Sequence, residues 1–285
     1  MILPEFILTT RQNYKDGLDS LKKCLDKNYF KSYPYIVEYV FNSRGFRDAE
    51  WPDTLEELQD SIWCVGDSFT VGLGSPITHT WPNILQSNTN KRCINVSMDG
   101  ASNKWIARKV LEIIKTIHPK IIVIQWSYIP RDELCDSTLT DEDRRIDVAK
   151  NKNIDELRLI SLKLIQDIEF QKDQCKIIHS FVPYGTLLDR SYNENIWECL
   201  WKNNWPSLPD TLNEFNCLEK NIVNELKNFN VYDVLYVYYQ LIDSIMYVPE
   251  IKSLDLARDG HHYDIITATN FVDQVENLIF DLRLS

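Results

Sequence analysis

Glycine is scarce in this chain, with 8 in 285 residues against an average usage of about 7%. Basic residues are in deficit: 31 Lys and Arg face 42 Asp and Glu, a net charge of -11. A nucleic-acid or anionic-membrane surface needs a basic face, so neither partner is expected. No C-x-x-C pair occurs among the seven cysteines. Their number is odd, and Cys64, Cys93 and Cys175 lie in or beside apolar runs. That pattern predicts reduced core residues, not a disulfide frame or a metal site. No apolar run reaches the ~18 residues of a membrane span. The opening "MILPEFILTT" has no basic start and is broken by Pro4 and Glu5. No signal peptide is expected, and the expected location is cytoplasmic. Neither G-x-G-x-x-G nor G-x-x-x-x-G-K-[ST] appears, so no nucleotide cofactor is expected. What the chain does have is 44% hydrophobic and 12% aromatic residues, enough for a packed core.

Apolar runs and helical patterns alternate from residue 61 onward. "SIWCVG" (61–66), "RCINVS" (92–97), "KIIVIQW" (120–126) and "CKIIHSFV" (175–182) read as strands, with "VYDVLYV" (231–237) as a fifth. Between them, "TWPNILQSN" (80–88), "NKWIARKVLEIIKTIH" (103–118), "IDELRLISLKLIQDIEF" (154–170) and "LEKNIVNELKNF" (218–229) read as helices. "IITATNFVDQVENLIFDL" (265–282) closes the chain as a helix. Strands that are apolar throughout, alternating with helices, predict an α/β fold: a mostly parallel sheet covered on both faces. In such sheets ligands bind beyond the carboxyl ends of the strands. Ser68, Gly100, Ser127 and Pro183 all follow expected strands and should share that rim.

Residues 1–60 precede the alternation and are expected to form an extension packed on a main domain of 61–285. Within the extension, Leu18, Leu21, Cys24 and Leu25 predict an amphipathic helix over 11–27, and 28–60 reads as irregular. Segment 184–212, with Trp197, Trp201 and Trp205 four apart, reads as a small lid-like insertion.

Three of the eight glycines crowd into "WCVGDSFTVGLG" (63–74), around Ser68. Glycine is used where backbone turns sharply or is approached closely. A serine hydroxyl there is a weak nucleophile until a base reaches it. Among the five histidines, His262 lies in "LDLARDGHHYD", three positions after Asp259. An aspartate at that offset can swing back to the imidazole Nδ1, fix the tautomer and stabilise the imidazolium. His261 is the less favoured base. His79 follows a turn, His118 ends a helix, and His179 sits mid-strand as an expected core residue.

These blocks resemble the SGNH hydrolases, the GDSL-type esterases and acylhydrolases. "VGDSFTVGLG" is similar to the first block of that superfamily, Gly100 in "INVSMDGAS" to the second, and Asp259-x-x-His262 to the last. "NSRGFRD" followed by "WP", and "TWPNIL", resemble further stretches found in members. The resemblance runs over about 42–282. It implies a three-layer α/β/α flavodoxin-like fold and metal-free, cofactor-free hydrolysis of a small-molecule or carbohydrate ester. Ser68 would be the nucleophile, His262 the base and Asp259 its orienter, with the Ser68 and Gly100 N–H groups as oxyanion donors. Asp67 is expected to hold the turn. The third block departs from the family. Where Gly-x-Asn-Asp is expected, the chain reads "VIQWSYIPRDEL", with Ser127 for the glycine and Ile129 for the asparagine. Ser127 or Asn103 is the expected substitute donor, ahead of Arg131. Trp126, Arg131, Trp197 and Trp201 are the expected substrate-binding residues. The leading expectation is a serine esterase acting on a small ester such as an O-acetyl group on a carbohydrate. The alternatives are an O-acyltransferase on the same scaffold and a non-catalytic binding module with a degraded oxyanion hole.

Overall fold

The computed structural model describes residues 17–18, 37–127, 154–182, 246–248, 254–259 and 262–281. The strands are β1 (Gly17–Leu18), β2 (Glu38–Tyr39), β3 (Ile62–Gly66), β4 (Cys93–Ser97), β5 (Ile121–Trp126), β6 (Lys176–Phe181) and β7 (Met246–Tyr247). The helices are α1 (Leu55–Asp60), α2 (Ser68–Val71), α3 (Trp81–Thr89), α4 (Asn103–Ile117), α5 (Ile154–Gln171) and α6 (Ile265–Asp281).

β3 is buried at every position, and β4 likewise, which only a sheet covered on both faces allows. The five strands run in the order β4-β3-β5-β6-β7, and every pairing is parallel. Period-2 alternation divides each strand between two cores. Trp63, Val65, Ile122, Ile124, Trp126 and Ile177 face α4 and α5. Ile62, Cys64, Val123 and Ile178 face the layer of α3 and α6, where Trp81 meets Phe271 edge-on at 5.0 Å. The outcome is the three-layer α/β/α architecture expected, with the doubly wound strand order of flavodoxin-like folds. The order reverses at β3, so the crevice lies between the carboxyl ends of β3 and β5. The registers pair Gly66 with Ser97 and Val65 with Ile124, which brings the loops after β3, β4 and β5 onto one rim.

Two expectations change. Gly17 and Leu18 are extended and pair antiparallel with Tyr39 and Glu38, where periodicity predicted helix. Glycine in a helix interior costs about 0.5–1 kcal/mol, and here the backbone takes a strand partner instead. Residues 55–60 form α1 inside a stretch read as irregular. Thr54 caps it, its hydroxyl accepting from the Glu57 N–H and donating to the Glu57 carboxylate at 2.6 Å, the side-chain cap that a threonine before a helix supplies. The fifth strand position is held by β7, whereas 231–237, like the helix expected at 218–229, lies outside the described residues.

Candidate active site

The three clustered glycines each answer a separate steric demand. A Cβ on Gly66 would sit 2.0 Å from Thr70 Oγ1, inside the first turn of α2. Gly72 ends α2 in the left-handed region at φ +73, and a Cβ there would meet Thr80 at 2.2 Å. Gly74, at φ +78, faces another loop altogether: its Cβ would lie 2.8 Å from Asp259 Cγ. The cluster therefore lets a tight helix turn carry Ser68 and lets the Asp259 loop close against it.

Asp67 caps α2, its Oδ1 accepting from the Phe69 N–H at 3.0 Å. Ser68, the first residue of that helix, is 1% exposed. The ring of Phe69, next in the chain, lies 4.6 Å from the His262 ring and 5.4 Å from that of Tyr263. His262 and Asp259 are bound twice. The His262 N–H donates to Asp259 Oδ1 at 3.0 Å, and Nδ1 stands 2.6 Å from Asp259 Oδ2. A carboxylate only accepts, so the Nδ1 proton belongs in that contact, which makes Nε2 the acceptor atom of the neutral ring. Burial pushes the His262 pKa down, but the Asp259 charge and hydrogen bond, with the charges of Asp99 and Asp67, outweigh it. The pKa is raised above its ordinary 6.5. The Arg258 N–H donates to the Gly74 carbonyl at 3.1 Å, tying the loop of Asp259 and His262 to the loop after Ser68.

Below this pair runs a buried polar chain. Trp81 Nε1 donates to Thr70 Oγ1 at 3.2 Å, Thr70 donates to Gln125 Oε1 at 3.0 Å, and Gln125 Nε2 donates to the Tyr263 hydroxyl at 3.1 Å. It joins α3, α2, β5 and the residue after His262. Gln125 and Tyr263 carry no sequence signal of this role, because their partners lie far along the chain.

At the end of β5, Ser127 is fully buried and held on three sides. Its hydroxyl donates to Asp67 Oδ2 at 2.6 Å, its N–H donates to Asn103 Oδ1 at 2.8 Å, and its carbonyl accepts from Asn103 Nδ2 at 3.1 Å. The single hydroxyl hydrogen of Ser127 is thus committed to Asp67. This removes it as the substitute oxyanion donor, because an oxyanion needs that hydrogen. Asn103 spends one of its two amide hydrogens on Ser127, and among the described residues the other has no acceptor. Gly100 adopts φ +73 on the loop after β4.

Trp126 requires correction as a substrate-binding residue. It is 1% exposed, and its indole N–H donates to His179 Nδ1 at 3.0 Å. It shares the inward face of Ile122 and Ile124, and the rim begins one residue later. His179 Nε2 contacts Glu169 at 3.0 Å, so this histidine is a satisfied core residue. Arg131, Trp197, Trp201, Ile129, Pro183 and His261 lie outside the described residues. Among the described residues no group of His, Cys, Asp or Glu side chains is arranged to hold a metal ion. No described helix is long and apolar enough to cross a membrane.

No protein-family model matches the chain, and no curated protein matches it. Solved structures do resemble it. It is similar to the family 3 carbohydrate esterase of Clostridium thermocellum, at 13% identity over 79% of this chain and 97% of that one, with a TM-score of 0.46. It is similar to a psychrotrophic esterase from Pseudoalteromonas sp., at 10% identity over 79% and 100%, TM-score 0.45. A carbohydrate acetylesterase family member from Sinorhizobium meliloti shares 13% identity over 77% and 97%, TM-score 0.43.

Proposed function

We propose that the chain is a GDSL-type serine hydrolase that cleaves small esters through an acyl-enzyme on Ser68. The observation that carries this reading is the His262–Asp259 pair, held at 2.6 Å and packed on the side chain that follows Ser68. His262 Nε2 takes the Ser68 hydroxyl proton as Oγ bonds to the ester carbonyl carbon. The same proton then goes to the departing alkoxide as the ester C–O bond breaks. Water repeats the sequence on the acyl-enzyme, releasing the acid and restoring Ser68. Negative charge on the carbonyl oxygen is met by the N–H groups of Ser68 and Gly100. The Ser68 N–H has no intrahelical acceptor at its position, and Gly100 presents backbone without a side chain. Asn103, through its remaining amide hydrogen, supplies the third donor in place of the family asparagine. Each such donor is worth about 10²–10³ in rate. Ser68 is nearly enclosed, which favours a short acyl group such as acetyl. An O-acetylated carbohydrate is the substrate class we favour.

The test is turnover of p-nitrophenyl acetate by the wild type beside Ser68→Ala and His262→Ala. We expect turnover by the wild type and a loss on the order of 10⁴-fold or more in each variant. A wild type no faster than its variants overturns the reading.

A further inference from the structure

The sequence "NSRGFRD" has so far had no task in the chemistry. In the structure Arg47 is fully buried, and its guanidinium grips the loop that follows the nucleophile helix. Nη1 donates to the carbonyls of Val71 at 3.1 Å and Gly72 at 2.5 Å. Nη2 donates to the carbonyl of Ser75 at 2.9 Å and to that of Glu38, on β2, at 3.0 Å. The guanidinium lies 4.5 Å over the ring of Tyr39, and the Tyr39 hydroxyl accepts from the Gly74 N–H at 2.9 Å. Two side chains of the N-terminal segment therefore bind four backbone groups of residues 71–75.

The other side of that loop is the seat of the base. Gly74 carbonyl accepts from the Arg258 N–H, the Gly74 α-carbon faces the Asp259 carboxyl group, and Ser75 Oγ donates to Asp264 at 2.8 Å. His79 reaches the same Asp264 oxygen at 2.9 Å. Residues 72–75 are thus a spacer between α2, which carries Ser68, and the loop carrying Asp259 and His262. A shift of the spacer moves both members of the reacting pair relative to each other.

We propose that Arg47 and Tyr39 are positioning residues for the Asp259–His262 pair, acting through the 72–75 loop. This rests on the hydrolase reading above. A planar guanidinium that donates along fixed directions to the carbonyl ending α2 and to two carbonyls of the loop after it is not replaceable by a point charge. Geometric errors of about 1 Å at a reacting centre cost on the order of 10²-fold, so a modest slackening of the loop is visible in rate.

The experiment uses the full chain with Arg47→Lys and Tyr39→Phe, the second retaining the ring under Arg47 while deleting the acceptor for Gly74. Three readouts are taken: near-UV circular dichroism for native packing, the low-field proton resonance of the His262 Nδ1–H in its hydrogen bond to Asp259, and the rate of Ser68 labelling by a small fluorophosphonate. We expect both variants to keep native packing. We expect the low-field resonance to shift or broaden in each, and labelling to slow about tenfold or more in Arg47→Lys and less in Tyr39→Phe. Native packing with an unmoved resonance and wild-type labelling in both variants overturns the proposal, as does a lowered melting temperature with neither readout changed. If Arg47→Lys does not fold, Tyr39→Phe alone decides by the same criteria. A wild type that shows the resonance but is not labelled at Ser68 sinks the hydrolase reading instead, and the resonance still tests the positioning role.

Discussion

The loop after β3 and the end of β5 reach the same rim, yet they dispose of their polar groups in opposite ways. Residues 66–75 use three glycines to turn tightly around Ser68 and to let Asp259 approach Gly74, and the carbonyls beyond Ser68 are bound from behind by Arg47. The Ser68 hydroxyl itself is placed at the head of a four-residue helix. At the end of β5, the hydroxyl, N–H and carbonyl of Ser127 all go to Asp67 and Asn103. A serine whose hydroxyl hydrogen is already donated is scaffold. A serine framed by glycines, with the Asp259–His262 loop closing beside it, is the one proposed to react. Two serines, each just past a strand, look alike in sequence, and only the partners separate them.

The largest effect expected comes from stripping the charge that the β3 side receives. Asp259→Asn removes both the carboxylate charge and the acceptor that fixes the His262 tautomer, and a loss on the order of 10⁴-fold in kcat follows. The pH profile distinguishes this from misfolding. Base catalysis needs neutral His262, whose pKa is raised above 6.5 in the wild type, so kcat/KM should rise with pH through an apparent value above 6.5. Without Asp259, burial dominates and the acid limb moves to lower pH. The linked stability runs the other way. The charged pair stabilises the fold below the ordinary histidine pKa, and that contribution is lost as pH rises through the folded value. An acid limb at or below 6.5 in the wild type contradicts this account of the pair.

The contrast between Asn103 and Ser127 is sharper and smaller. Asn103→Ala should slow ester turnover about 10²–10³-fold, as one oxyanion donor would, with KM little changed. Ser127→Ala should cost only about tenfold, through a looser Asp67, together with stability, because it deletes a hydrogen bond to a buried carboxylate. Equal losses in kcat, or a larger one at Ser127, would return the donor role to the serine.

Much of this was legible beforehand, for reasons tied to particular residues. β3 to β6 are mostly apolar runs, and α4 shows its buried stripe from Trp105 to Ile117, so the sheet and its two covering layers follow from periodicity. Ser68, Asp259 and His262 stand in short motifs whose members are near neighbours in the chain. What escaped was long-range. The Arg47 guanidinium meets carbonyls 24 to 28 positions away, and the Gln125–Tyr263 bond spans 138. No local pattern encodes such partners. Trp126 was misread for a different reason. It ends β5 just before the rim, and the period set by Ile122 and Ile124 turns it inward.

Trp126→Phe gives the smallest expected effect, and it separates a wall of the core from a wall of the pocket. The phenyl ring keeps most of the apolar contact in the α4 and α5 core but deletes the N–H that satisfies His179 Nδ1. An acceptor left unpaired at a fully buried site costs about 1–3 kcal/mol, so the denaturant midpoint should fall. Phe69 and Tyr263, the rings beside His262, belong to the opposite core, so kcat and KM for p-nitrophenyl acetate should stay within about twofold of wild type. A changed KM at unchanged stability would put the indole back in contact with substrate. The expected pattern instead leaves the end of β5 as a rigid post, its tryptophan anchored to His179 and its serine to Asp67, the residue that caps the helix of Ser68.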